Sequence, residues 1–416
     1  VPSTPPAPVA NAKRHLFARC WRAGRNWTQA LPQRACFVPG RVELLGKHTD
    51  YAGGRSLLTT LNRGFCAIAA PRSDATVRLL DAASGETAEF TVGESCSVPW
   101  ATYAVAVARR FRPAGADIAF CSDLPAAAGM SSSSAFVVMS YLALTGDTLG
   151  QGRELLAADL AAAEVGVGTH GGSEDHTAIL CCNPGHWSQF RFCPLRAEAE
   201  VPAPAELRLV LGVSGVVAAK TGAARAAYNH LSAVAAGIVA RWNAATGRRD
   251  PHLAAALASD PEARQRLEVL LRPEPVLTAR LHQFLNETEN WIPAAVAAVT
   301  AADWNALGAV VAASQAAAET ALANQTPETI FLAARARALG AVAASSFGAG
   351  FGGSVWALVK DSEADAFVSA WRDAYHQKFA QHRAASLFFE SAAAPSACVL
   401  PQEALRELQL EALESA

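Results

Sequence analysis

Apolar positions fall into short runs in the first part of the chain and into long helical stretches later. Three brief apolar segments, 35–38, 65–70 and 76–80, are cut apart by clusters of Gly, Pro, Asp and Ser, and each is expected as a strand. Residues 100–111 read as a helix, with Tyr103, Val107 and Arg110 following one another around it, and 136–144 as an apolar helical run. A helix at 154–165 and a loop at 166–175 follow. The stretch 194–204, dense in Pro, Ala and Glu, reads as a connector and a domain boundary. Beyond it lie an apolar strand at 207–213 and a helix carrying Lys220, Arg225, Tyr228 and Asn229. Residues 251–343 read as helical, with alanine-rich stretches such as 296–323 that suggest close helix packing, and 355–359 as a last strand. At the start, the proline-rich residues 1–10 are expected as a flexible leader without the apolar core of a signal peptide, followed by a short helix at 11–21. The pattern supports an α+β protein with an N-terminal lobe over 11–204 and a C-terminal lobe over 205–416.

Composition narrows the partners. A chain of 416 residues is long for one core, which favours two lobes. With 17% charged residues, a net charge of −2 and no long basic run, nucleic acid is not expected as a partner. No apolar run reaches the roughly 18 to 20 residues of a membrane span. The nine cysteines are odd in number and scattered without a C-x-x-C pair, which suits reduced thiols in a cytoplasmic protein and no zinc site. Lysine occurs only at 13, 47, 220, 360 and 378, so Lys47, inside a dense polar turn, is not background.

Three glycine-containing stretches carry the candidate chemistry. In 39–54, Arg41 lies just upstream of a turn presenting Lys47, His48 and Asp50 beside Tyr51, with Gly53 and Gly54 after. Donors and acceptors this dense fit a small, hydroxyl-rich ligand; a solvated turn between strands is the plainer alternative. In 124–135, Gly129, Met130 and the serines Ser131, Ser132, Ser133 and Ser134 precede the apolar helical run. They therefore sit at a helix N-terminus, where free backbone N–H groups and the dipole attract phosphate. There is no Walker lysine, which sets aside a P-loop NTPase. The third stretch, 348–354, is a Gly-rich turn opening onto a strand, its glycines permitting close backbone packing. Between the second and third, His170, Glu174, Asp175, His176 and His186 cluster in sequence and offer a rival metal site, although that spacing does not enforce a ligand geometry.

Taken together and in this order, the three stretches resemble the GHMP kinases, and galactokinases in particular. Residues 40–54 are similar to G-R-V-N-L-I-G-E-H-T-D-Y-N-G-G, which holds the sugar. Residues 124–135 are similar to the P-x-G-x-G-L-S-S-S-A phosphate loop, with Ala127 for its first glycine and Ser134 for its alanine. Residues 348–354 are similar to G-A-G-F-G-G-C, with Ser354 for Cys. The resemblance spans roughly 39–399. It implies two α/β lobes, a mixed N-terminal one and a C-terminal one of ferredoxin-like character, with the active site between them.

It further implies a monomeric kinase acting on a sugar and ATP with Mg²⁺. Asp175 and Gly172 keep the spacing of C-G-I-M-D-Q, whose Asp faces the reacting hydroxyl, while Ser173, Glu174 and His176 depart from it. The catalytic pair is then Asp175 and Arg41. Lys47, His48, Asp50, Gly172 and Tyr228 would meet the sugar. Trp100, whose surroundings resemble W-x-x-Y-V near the adenine, would meet the nucleotide with Gly129, the four serines and Gly350; a core position is the alternative for Trp100. Mg²⁺ would be held by Ser132 or Ser133 with Glu164. His282 and Ser314 read as ordinary helix positions. The implied reaction is phosphorylation of the anomeric hydroxyl of galactose or a related hexose. Lys47 stands where the signature has a Glu that accepts from the C6 hydroxyl, so a sugar acid such as galacturonate or glucuronate is one alternative. A non-catalytic sensor of sugar and ATP is the other.

Overall fold

The sugar-turn stretch belongs to the longest strand pair of the protein. The computed structural model describes residues 6–28, 30–168, 171–217 and 222–414. β1 (Arg34–Leu45) runs antiparallel to β2 (Arg55–Pro71), from Arg34 opposite Ala69 to Leu45 opposite Leu57, so residues 39–45 are strand and the turn begins only at Gly46. β3 (Thr76–Asp81), β4 (Thr87–Thr91) and β5 (Ala116–Ser122) extend the sheet, with β3 and β5 parallel. The hairpin of β6 (His186–Arg191) and β7 (Arg196–Pro202) adds to the far half of β2. The expected connector at 194–204 is therefore largely a strand. It lies at the edge of the sheet with only Val201 fully buried, and its Ala/Glu alternation carries almost no hydrophobic signal.

The second sheet contains β8 (Leu207–Val213), β9 (Ala343–Ser346), β10 (Ser354–Lys360) and β11 (Leu387–Ser391) in the order β11-β8-β10-β9, every pair antiparallel. Numbered within the lobe this is 4-1-3-2, the split βαβ arrangement of ferredoxin-like domains. Strand periodicity divides its two faces. Val210, Val355, Ala357 and Val359 pack on Leu332, Ala336 and Trp371 of the helices Pro327–Ala338 and Ala364–Lys378. Leu209, Leu211, Trp356 and Leu358 face the main core with Ala298 and Val311. Burial on both faces explains why these strands read as continuous apolar runs.

The chain then returns to the first lobe. β12 (Cys398–Val399) pairs with the free edge of β1, and Ala404, Leu405 and Leu408 of the helix Gln402–Glu414 pack on Phe17 and Trp21 of the helix Arg14–Arg25. Residues 398–414 thus depart from the division at 204/205; they cover an edge that would otherwise be open. Val9 and Ala10, in the helix Pro6–Ala12, are buried in the same cluster, so described residues within the expected leader are part of the packing. Residues 251–343 form helices interrupted by π-helical turns at Asn286–Trp291 and Ala318–Leu322 and end in β9. Among the described residues, no helix is long and apolar enough to cross a membrane.

Candidate active site

The cavity lies where β1, the N-terminus of the helix Ser132–Thr145, the helix Glu174–Cys181 and the turn at Gly348 and Ala349 converge. Arg41, on β1 and almost fully buried, points its guanidinium at Asp175, with Nε 2.9 Å and Nη2 2.6 Å from Oδ1. Its Nη1 donates to the carbonyl of Gly129 at 2.7 Å. Burial works against the guanidinium charge, but Asp175, then Glu174 and Glu43, outweigh it and hold Arg41 protonated. Asp175 sits in the first turn of a helix that begins at Glu174, not in a loop as expected. Ser173 precedes that helix, whose N–H of Glu174 donates to Asp50 Oδ2 at 3.1 Å. Gly172 is needed for this approach, because a Cβ there would overlap the Asp50 carboxylate and lie 2.9 Å from the Tyr51 nitrogen. Burial raises Asp50 above its usual range, against the pull of the N–H groups of Glu174 and Tyr51.

His48 is held in one tautomer. Its Nε2 is 3.1 Å from the Ala349 carbonyl, which can only accept, so Nε2 carries the proton and Nδ1 accepts from the Tyr51 hydroxyl at 3.1 Å. Burial, aided by the charge of Arg280, pushes His48 down to about 4, so it lines the cavity as neutral imidazole. Tyr228 packs 5.3 Å from its ring centroid to that of His48 and also lines the cavity.

Lys47 does something else. It is buried, it does not line the cavity, and its Nζ donates to Ser314 Oγ at 3.1 Å. Ser314 in turn lies 2.9 and 3.0 Å from the two carboxylate oxygens of Glu287, which also accepts the Gly46 N–H at 2.8 Å. The expected sugar contact of Lys47 is thus replaced by a buried network, and Ser314 is not an ordinary helix position. Ser314 apart, one helical stretch supplies the brace. Arg280 donates to the His48 carbonyl, Gln283 donates to the Lys47 carbonyl at 3.1 Å, and Glu287 sits in the π turn that follows. These three were not singled out from sequence. The available signal was three long polar side chains at spacings of three and four, the spacing of a single helix face.

The phosphate side follows helix geometry. Ser131 caps the helix Ser132–Thr145 with φ 58°, preceded by Gly129 at φ 78°, and its buried hydroxyl has no hydrogen-bond partner. Residues 131 and 134 share a helix face, so Ser131 and Ser134 line the cavity whereas Ser132 and Ser133 do not. Ser134 Oγ donates to Glu164 Oε2 at 2.7 Å and lies 3.3 Å from Asp175 Oδ2. The serine facing Glu164 is therefore Ser134, not Ser132 or Ser133. Ala127 takes the left-handed conformation (φ 49°) of the glycine it stands for.

The third motif braces this loop. Ser354 Oγ donates to the Ala128 carbonyl at 2.7 Å, and a Cβ on Gly348 would come within 2.9 Å of the Gly129 carbonyl. Gly348 and Ala349 line the cavity, while Gly350 packs against Asn324 instead. Trp100 stands edge-on to Phe120 and Phe136, with centroids 5.7 and 6.1 Å away, and is not among the cavity residues.

Two carboxyls in the cavity wall complete the site: Glu43, which has no role in the expectations from sequence, and Glu174, expected only as a member of the rival metal cluster. Glu43 is buried, with Oε2 3.3 Å from the Gly348 nitrogen and no donor to Oε1. Glu174 accepts from the Ser56 hydroxyl. Burial pushes Glu43 up to about 7 against the attraction of Lys47 and Arg41, and burial together with Glu43 and Asp50 raises Glu174 well above the carboxylate range. Their signal was a pair of departures: Glu43 stands where the signature has Asn, and Glu174 where it has Met. As for the rival metal cluster, His176 Nε2 lies 3.2 Å from Glu164 Oε2, His186 Nδ1 turns to the Pro184 carbonyl, and His170 lies outside the described residues. Among the described residues, no group of three His, Cys, Asp or Glu could hold a metal.

A ferredoxin-like lobe set against a mixed lobe, with a serine-capped helix and an Arg–Asp pair in the cleft, defines a GHMP kinase. Residues 100–183 match the GHMP kinase N-terminal domain, 295–377 the GHMP kinase C-terminal domain, and 28–71 the galactokinase galactose-binding signature. The chain is 30% identical over 355 residues to the galactokinase of Roseiflexus sp. (strain RS-1), covering 82% of this chain and 86% of that one. It is 29% identical over 360 residues to that of Streptomyces coelicolor, covering 83% and 89%. In fold it resembles the Lactococcus lactis galactokinase complexed with galactose, with a TM-score of 0.77 at 22% identity over 88% of this chain and 94% of that one. It also resembles the L. major mevalonate kinase in complex with R-mevalonate, at 0.55 and 15% over 88% and 99%. The chain belongs to the galactokinase family and is a galactokinase-like, ATP-dependent sugar kinase.

Proposed function

We propose that this kinase transfers the γ-phosphoryl group of ATP to the anomeric hydroxyl of galactose or a closely related hexose. The observation that carries the reading is the Arg41–Asp175 pair, set beside the Gly129 carbonyl and the N-terminus of the helix Ser132–Thr145. Phosphoryl transfer through a loose transition state needs alignment and charge stabilisation more than covalent chemistry. Asp175 orients the sugar hydroxyl and takes its proton. Arg41 holds Asp175 in place and faces the charge building on the transferred group. The helix N-terminus and the unpartnered Ser131 hydroxyl receive phosphate oxygens. His48, Asp50 and Tyr228 hold the sugar hydroxyls. Glu164 and Ser134 fit Mg²⁺, because both are oxygen donors in the phosphate cavity and Mg²⁺ takes few protein ligands beside phosphate oxygens. Bound there, it would neutralise phosphate charge. The need for ATP suits the cytoplasm.

A sugar acid read by Lys47 is disfavoured, because that amine is committed to Ser314 and the cavity wall carries carboxyls. ATP consumption over a panel of aldoses and uronic acids tests the reading, with Asp175→Asn as control. Phosphorylation of a non-acidic hexose supports it. Binding of ATP and sugar with no turnover on any member of the panel means a sensor instead.

A further inference from the structure

The wall of the sugar cavity holds more negative groups than the reaction uses. Of its carboxyls, Asp175 is held by Arg41, and Glu164 faces Ser134 on the phosphate side. That leaves Glu43, Glu174 and Asp50, with Arg41 the sole Lys or Arg among the described lining residues. Lys47, the nearest other cation in sequence, turns its amine behind the wall. Glu43 and Glu174 are both more than nine-tenths buried and act on each other directly. Burial disfavours the charge on each of them, and Glu43 disfavours it further on Glu174, against the attraction of Arg41. No N–H or hydroxyl donor reaches Glu43 Oε1 although it is buried. A buried acceptor of this kind asks for a donor from the ligand.

A sugar hydroxyl supplies one donor and no charge, whereas an ammonium supplies up to three donors and the missing positive charge. Resting on the kinase reading above, we propose that the preferred acceptor is an amino sugar, a hexose bearing a free amine, recognised by Glu43 and Glu174. The ammonium supplies the positive charge that the two carboxyls lack, and the phosphoryl group still goes to the anomeric hydroxyl. Acetylation removes both the charge and two donors, so N-acetyl hexosamines are poor acceptors.

The test is the ratio of kcat/KM for D-galactosamine and D-glucosamine to that for D-galactose, D-glucose and the N-acetyl hexosamines, with the full chain at saturating MgATP. Charge-assisted hydrogen bonds predict that the better amine exceeds its parent hexose by roughly tenfold or more. Glu43→Gln should erase most of that ratio. The double variant Glu43→Asn/Glu174→Met carries the signature residues at both positions, and it should favour the neutral hexose. Equal or better use of the neutral hexose by the wild type overturns the inference while leaving the kinase reading intact, and needs no variant to fold. A ratio unchanged in Glu43→Gln overturns it equally. No phosphorylation of any hexose or hexosamine overturns both readings.

Discussion

Lys47 gives the sharpest test of how the sugar turn is held. Its amine, the Ser314 hydroxyl and the Glu287 carboxylate are all buried and joined in series at 3.1 and 2.9 Å. Two such hydrogen bonds bent at one oxygen span about 5 Å, at which opposite charges attract by roughly 3 kcal/mol at an effective dielectric of about 20. Lys47→Met leaves Glu287 buried with the Gly46 N–H and the Ser314 hydroxyl as its remaining donors. Removing one partner of a buried pair costs about 3–5 kcal/mol. Urea unfolding of wild type, Lys47→Met, Glu287→Gln and the double variant should return a coupling of about 2–3 kcal/mol, the double costing less than the two singles together. Because the amine does not line the cavity, competition between galactose and galacturonate should be the same in Lys47→Met as in wild type. A stability loss below about 1 kcal/mol combined with a changed sugar-acid ratio would refute the reasoning and return the amine to the cavity.

Three further outcomes follow from the same geometry. Asp175→Asn should lower kcat by about 10²–10⁴ while ATP affinity by calorimetry barely moves; near-normal turnover would falsify its role as proton acceptor. Gly172→Ala drives a Cβ into the Asp50 carboxylate, so the sugar KM should rise at least tenfold, by the rough measure of one misplaced contact in a binding site, and an unchanged KM shows that the turn yields freely. For stability against pH, Glu43 keeps its proton in the fold to about 7 but loses it near 4.5 when unfolded; its contribution is whole below 4.5 and lost as pH rises through about 7. His48 has the opposite sign: its contribution is whole above 6.5 and lost as pH falls through about 4. Glu43→Gln removes the first effect and leaves that of His48, so its stability relative to wild type should improve by up to about 3 kcal/mol from acid to about pH 8; a flat difference in urea midpoints across that range excludes a Glu43 raised by burial.

What the sequence made legible depends on which physical signal each element carries. The strand at 207–213 was read with correct bounds because both faces are buried, which leaves a continuous apolar run. The edge strand β7 resembles a connector in sequence because exposed Arg and Glu side chains give no such run. In the phosphate loop the motif located the helix N-terminus, but four successive serines cannot reveal which of them faces the cavity; that is set by the helix phase, and it selects Ser131 and Ser134. The orientation of Lys47 was hidden for a different reason. It is decided by Glu287 and Ser314, more than two hundred residues away, and nothing local to the turn records them.

The three charge-changing departures from the family motifs, Glu43 and Lys47 in the sugar signature and Glu174 before Asp175, are better understood as one change than as three. Replacing Glu by Lys47 adds two positive charges relative to the signature, while Glu43 for Asn and Glu174 for Met each add one negative charge, so the formal sum is zero. The positions also act on one another: burial raises Glu43 against the pull of Lys47, and burial, then Glu43, raises Glu174. The cation has moved behind the turn, and the carboxyls have moved into the cavity wall. Restoring only Lys47→Glu would therefore set a further carboxyl beside both Glu43 and Glu287. In the Glu43→Asn/Glu174→Met background half of that repulsion is gone, and Lys47→Glu should cost about 1–2 kcal/mol less there than in the wild type. Urea midpoints of the four proteins measure the difference. An equal cost in both backgrounds would mean that the three positions vary independently and that their zero sum is coincidence.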